Sequence, residues 1–355
     1  MKDVALECSR RRNVNLAWPV RSTKIENQRM GYLMSHFDRR NFIRASTGVA
    51  LSSVYANPFQ VQAADPTAIV SVKLPIPPRF QWDELDGYCG ECSIQQAALA
   101  YGTYVSQYVC RGIININQRS QLLVAVNDQT VLTALRLTST AWDYNRSANP
   151  QFQAYYGWVK QHLSLFHPVL IVAYAQGLAD PDYDHIMLAS GFSSTDTTTY
   201  HATDQFLFND NYSTVVLNRT ASTLTDTRRM RGNGALNEFC IPTNVCYGTA
   251  ITGILDTSKL ALPVQVLLNT QSEPDVITGA SPVMFNASVS ISGLTVGKSY
   301  SLYRYNDYRN VPTINYAASK YSAVVNFIAT KTTYSVAATI ASNTIATFRC
   351  LPAGK

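Results

Sequence analysis

The sequence contains no run of 18 or more apolar residues, so no stretch of it is long enough to cross a bilayer as a helix. It also lacks an internal repeat, a low-complexity tract, a His-Glu-x-x-His pair and a phosphate-cradling glycine loop. These absences leave zincin-type hydrolysis and P-loop chemistry without support. Charge is scarce: Asp, Glu, Lys and Arg make up 15% of the 355 residues, against 46% hydrophobic ones. That balance excludes global disorder and supplies a sizeable core. The net charge of +6 invites a nucleic-acid partner, but its distribution removes that reading. Of 29 Lys/Arg and 23 Asp/Glu, ten and four lie in residues 1–63, leaving nineteen of each from 64 to 355. The body is neutral and shows no basic aromatic surface for nucleic acid.

The basic segment has an internal order. Asp38-Arg39-Arg40-Asn41-Phe42-Ile43-Arg44 is followed by a modest apolar run, 45–56, and then by Val61-Gln62-Ala63. This resembles a bacterial twin-arginine (Tat) signal peptide, with a basic start, a short weak apolar stretch and a small-residue cleavage pattern. Met34 stands four residues before Asp38, where such a signal begins, so 1–33 reads as an upstream extension and 34–63 as the signal. The resemblance implies export through the Tat machinery to the periplasm or outside. Of seven cysteines, Cys8 belongs to this leader and six remain, an even number that permits disulfides.

Beyond a proline-bearing linker at 64–85, two grammars follow one another. From 86 to 261 the pattern is mixed: apolar positions at helical spacing from Cys89 to Gly102, a second helix at 152–165, and strands at 169–174, 185–189, 205–208 and 247–254. Helices first and strands later point to an α+β domain. From 262 to 355 only strands are expected, at 264–268, 283–291, 299–305, 323–330 and 332–349. There, Leu294 and Tyr300 flank a tight turn in a stretch similar to the fibronectin type III tyrosine corner. That similarity implies an immunoglobulin/fibronectin-like β-sandwich.

Chemistry concentrates in three short runs. Asp86-Gly87-Tyr88-Cys89-Gly90-Glu91-Cys92 leads into a helix, and a cysteine at a helix N-terminus meets free N–H groups that favour the nucleophilic thiolate. His185 opens a strand that continues to Gly191-Phe192. Asn209-Asp210-Asn211-Tyr212 then sets carboxylate and amide groups at the end of the next strand.

Cysteine on a helix, histidine at a strand start and an acid or amide after the next strand is the papain-like order. Cys89-Gly90 opening a helix that ends in Tyr101-Gly102, with His185 to Phe192 and Asp210 following, resembles the bacteriocin-leader (double-glycine) cysteine peptidases. The resemblance covers about half the chain. It implies that Cys89 attacks a carbonyl of a peptide or protein substrate. His185 would move the proton, and Asp210, or Asn209 in its place, would orient the imidazole. It also implies an oxyanion-stabilising glutamine about six residues before the cysteine. Asp83 stands there relative to Cys89, and Gln81 is the nearest substitute. No cofactor or metal is called for.

Alternatives stay open. Cys92 competes with Cys89, since papain's own Cys-Gly-x-Cys pattern reacts at the second cysteine. Cys89-x-x-Cys92 also fits a thiol oxidoreductase, although no strand is expected directly before it. Transglutaminase-like acyl transfer uses the same residue order. A catalytically inactive peptidase fold would act as a binding or surface-assembly protein. Cys240 and Cys246, with five residues between them, suit a small disulfide-closed loop better than a zinc knuckle.

Overall fold

In a computed structural model, the described residues are 69–82, 87–114, 122–175, 183–212, 214–226, 239–271 and 282–355. The leader readings on 1–33 and 34–63, and the places of Asp83 and Asp86, lie outside them. The described residues belong to one unit, Ala64–Lys355. They form an α+β structure of mainly antiparallel sheets. No helix among them is long and apolar enough to cross a membrane.

Helix α1 (Cys89–Ala100) is the centre of the first region. Eleven of its twelve residues are buried, from Cys89 through Leu99, so it is enclosed on every side rather than laid on a surface. Its polar residues are therefore obliged to find partners, and they do. Gln95 accepts from Arg79 Nε at 2.6 Å and donates to the Val105 carbonyl at 2.7 Å. Glu91 takes the Arg111 Nε at 2.8 Å. The other helices are α2 (Gln107–Ile114), α3 (Asp128–Ala134), α4 (Phe152–Ser164) and α5 (Ala221–Leu224). Helix α4 falls where the 152–165 periodicity expected it.

The strands before residue 255 are β1 (Val70–Lys73), β2 (Thr103–Val105), β3 (Leu137–Ala141), β4 (Val169–Ala175), β5 (Tyr183–Ser194), β6 (Gln205–Asn209), β7 (Val216–Thr220), β8 (Thr225–Asp226), β9 (Phe239–Pro242) and β10 (Gly248–Ile254). All but β2 join one sheet, ordered β3-β10-β4-β5-β6-β7, with β1 added on β5 and β9 on β4. Its middle is β4 against β5, pairing Ala173 with His185 and Val172 with Ile186. His185 thus lies inside β5, two residues past its start, and not at the opening of the strand.

The strands after residue 262 are β11 (Val264–Leu268), β12 (Met284–Ile291), β13 (Ser299–Tyr305), β14 (Ala323–Ile328), β15 (Tyr334–Ala341) and β16 (Ile345–Pro352). The stretch expected at 332–349 is two strands, because the chain turns at 342–344. There Tyr104 donates its hydroxyl to the Ser342 carbonyl and Ser342 exchanges hydrogen bonds with Val283. One sheet is β11-β12-β15 and the other β14-β13-β16-β2. Val266, Val289 and Ile340 of the first share a core with Tyr300, Leu302 and Phe348 of the second. Thr295 N donates to the Tyr300 hydroxyl at 2.9 Å, tying the turn to its strand.

Strand β2 links these two groups of strands, which belong to one compact unit. This three-residue strand leaves the end of α1, yet it pairs with Ile345–Thr347 of β16 and completes the C-terminal sheet. Gly102 makes the junction possible. Its φ is +71°, and a Cβ there would lie 2.8 Å from the Phe348 carbonyl oxygen and 3.0 Å from Val264 Cβ. Only glycine combines that backbone with that approach.

Candidate functional site

The site is assembled where the start of α1 meets β5. Gly90, the second residue of α1, has no side chain to hold the strand away. A Cβ there would stand 3.1 Å from Ile186 Cδ1 and 2.6 Å from Leu122 Cδ2. Close approach lets the Ile186 N–H donate to Cys89 Sγ at 3.4 Å. The nucleophile candidate is thereby held by the residue that follows His185.

His185 is buried, and its ring stacks on Tyr212 with centroids 4.6 Å apart and an interplanar angle of 15°. Asp210, the residue that follows β6, is buried, and its Oδ1 accepts the Tyr212 N–H at 3.0 Å. Asp210 therefore fixes the residue that packs on the imidazole. The expected triad positions fall at one end of the β4-β5-β6 sheet and the start of α1.

The alternatives fall elsewhere. Cys92 is one turn along α1 and fully buried, with Sγ donating to the Arg79 carbonyl at 3.4 Å on the side of the extended segment before the helix. Asn209 donates to the Ile76 carbonyl and to Gln96 Oε1, and accepts from Ser190, so its amide is committed within the core. Gln81 donates its backbone N–H to the Asn211 carbonyl at 2.8 Å. Its carboxamide is wholly buried, and neither Nε2 nor Oε1 has a hydrogen-bond partner among the described residues. A buried amide without partners is costly, and a bound oxyanion is the kind of group that would satisfy it.

Burial governs the electrostatics. The Cys89 thiol is pushed up to about 12, chiefly by desolvation, with the Ile186 and Gly90 N–H groups acting in the opposite direction. His185 is pushed down to about 3 by the same cause. The resting pair is a neutral thiol and a neutral imidazole. This corrects the expectation of a thiolate favoured by the helix N-terminus. The dipole contributes about 0.3–1 kcal/mol, whereas full burial moves such groups by up to roughly 3–5 pH units.

Features with no signal in sequence spacing complete the site. Arg111, from α2, pairs with Glu91, donates to the Gly87 carbonyl at 2.8 Å and lays its guanidinium 3.4 Å from the Tyr88 ring centroid. Glu91 holds Arg111 above its ordinary value despite burial. The residues just before Cys89 are thus clamped from one side. Asn211 is the second such feature: it bonds to both α1 and β5.

Cys246 keeps its thiol, which donates to the Pro242 carbonyl at 3.1 Å and is pushed up to about 12 by burial. The expected Cys240–Cys246 disulfide is therefore not made: Cys240 sits in β9 opposite Tyr174, while Cys246 turns back onto Pro242. Among the described residues no group of three or more His, Cys, Asp and Glu stands close enough to hold a metal ion. No family model matches this chain, and a search of curated proteins returns no match.

Proposed function

We propose that this chain is an exported cysteine peptidase or amide hydrolase of papain-like type, with Cys89, His185 and Asp210 as its triad. The single observation that carries the reading is the Ile186 N–H to Cys89 Sγ contact, which sets the thiol against the strand that bears His185. Cys89 attacks a carbonyl carbon of a peptide or protein substrate while its proton passes to His185. His185 returns that proton to the leaving amine, leaving a thioester that water hydrolyses. Asp210 acts through Tyr212 on the imidazole, and Gln81 donates to the oxyanion. Cys92, buried against Arg79, is a packing residue in this reading. A Cys89–Cys92 redox couple gains no support from thiols turned to different neighbours.

The region 262–355 is read as an immunoglobulin/fibronectin-like sandwich, supported by the Thr295 to Tyr300 hydroxyl bond. The Arg39-Arg40 leader supports export by the Tat machinery to the periplasm or beyond. A second reading, an inactive peptidase fold that binds without cutting, is favoured by one observation: burial holds Cys89 and His185 both neutral at rest. Incubating the protein with a mixed peptide library decides between the two. Peptides released by wild type and not by Cys89→Ala establish hydrolysis. Identical product lists from both proteins would leave the binding reading standing.

A further inference from the structure

Asn211 stands between the residues of the proposed triad without belonging to it. It is fully buried. Its Nδ2 lies 3.0 Å from the Cys89 carbonyl, 2.9 Å from the Ile186 carbonyl and 3.2 Å from Ser93 Oγ. One carboxamide thus holds the backbone of the nucleophile and the backbone of the histidine strand at a fixed separation. The Asn211 backbone carbonyl accepts the Gln81 N–H, and the neighbours of Asn211 in sequence are Asp210 and Tyr212.

The way the amide faces is determined by its partners. Two carbonyls on one side require N–H donors, and Gln96 Nε2, donating at 2.8 Å, requires Oδ1 on the other. Gln96 is set in turn by Asn209, which donates to Gln96 Oε1 at 2.8 Å, and Asn209 accepts from Ser190 at 2.9 Å. Ser190, Asn209, Gln96 and Asn211 form a buried relay in which every donor meets an acceptor. Such a chain is rigid because reversing one amide leaves two others unsatisfied.

We infer that Asn211 is a positioning residue for the proposed reaction, setting the separation of Cys89 and His185 through the Cys89 and Ile186 carbonyls. The inference rests on the Cys89–His185 reading and deepens it. Serine at 211 is too short to span both carbonyls, and leucine at 96 removes the donor that orients the amide. A misplacement of about 1 Å costs roughly 10²-fold in rate.

The test is the rate constant for alkylation of Cys89 by iodoacetamide, followed by mass spectrometry across pH 5 to 9, for folded wild type, Asn211→Ser, Gln96→Leu and His185→Ala. In wild type the proton passes between two groups that do not titrate in this window, so the profile is flat and depends on His185. Asn211→Ser is expected to lower the rate constant at pH 7 about 10²-fold and to make it climb with pH, as a thiol without its base does. Gln96→Leu follows in the same direction by about 10-fold, and it decides the matter if Asn211→Ser does not fold. Folded variants with the wild-type rate constant and a flat profile overturn the inference alone, whatever their loss of thermal stability. A wild-type rate constant equal to that of His185→Ala overturns the inference together with the reading beneath it.

Discussion

The two regions bury different chemistry. Around α1 the interior holds Glu91, Gln95, Gln96, Arg111, Asn209 and Asn211, each tied to partners distant in sequence. Between the two C-terminal sheets the shared interior is aliphatic and aromatic, with Val266, Val289, Leu302, Ile340 and Phe348. Apolar packing tolerates exchange of one side chain for another of like volume. A buried polar network does not, since removal of one member leaves a donor or acceptor stranded. The comparison shows one place where this chain spends stability on defined geometry, the start of α1 beside Cys89; the buried Lys160–Asp204 pair and Arg349 are others.

The largest effect separating the regions should come from their ion pairs. Arg111→Met strands the Glu91 carboxylate in the interior and should cost about 3–5 kcal/mol in urea unfolding. Arg309→Ala breaks the exposed Asp307 pair of the C-terminal region and should shift the midpoint undetectably. Equal costs for the two would dissolve the contrast.

Acid should act on the first region through His185. Its value falls from 6.5 in the unfolded chain to about 3 when folded, so the unfolded state binds the extra proton between those limits. The stability this burial contributes is present above pH 6.5 and is lost as pH falls toward 3, by up to about 1.4 kcal/mol per pH unit. The stability of His185→Gln should therefore fall less steeply over that window than wild type. Parallel curves from pH 6.5 to 4 would show that His185 is protonated in the fold.

A smaller effect distinguishes the junction from the surface of the C-terminal region. Both Gly102 and Gly297 have positive φ, but a Cβ at Gly102 meets Phe348 and Val264 whereas one at Gly297 meets nothing within 4 Å. Gly297→Ala should cost only the backbone penalty, roughly 1–2 kcal/mol. Gly102→Ala should cost that penalty plus the displacement of β16, and calorimetry would rank the two directly. A milder loss at 102 than at 297 would mean that β2 is not held against β16.

Local features were legible in the sequence. A Cys-Gly pair before an apolar helix and the Leu294/Tyr300 turn are set by near neighbours, so their residue types announce them. His185 in a strand was legible for the same reason, although the strand starts at Tyr183 because pairing with β4 extends it past the apolar run. The Glu91–Arg111 pair spans twenty residues, and the Asn211 bonds to Cys89 and Ser93 reach back more than a hundred, where no periodicity connects them. Strand β2 was hidden because three residues carry no alternation, and what makes them a strand is the edge of β16. The thiolate expectation missed because a helix start is visible in sequence while the depth of its burial is not.

The central claim is that Cys89 is a nucleophile served by His185. The most direct measurement is site-resolved alkylation by iodoacetamide at pH 7 of wild type, Cys89→Ala, Cys92→Ala and His185→Ala. The account predicts label on Cys89 in wild type, unchanged in Cys92→Ala, lost in Cys89→Ala and slowed about 10²–10⁴-fold in His185→Ala. Label on Cys92, or a Cys89 rate indifferent to His185, would contradict it.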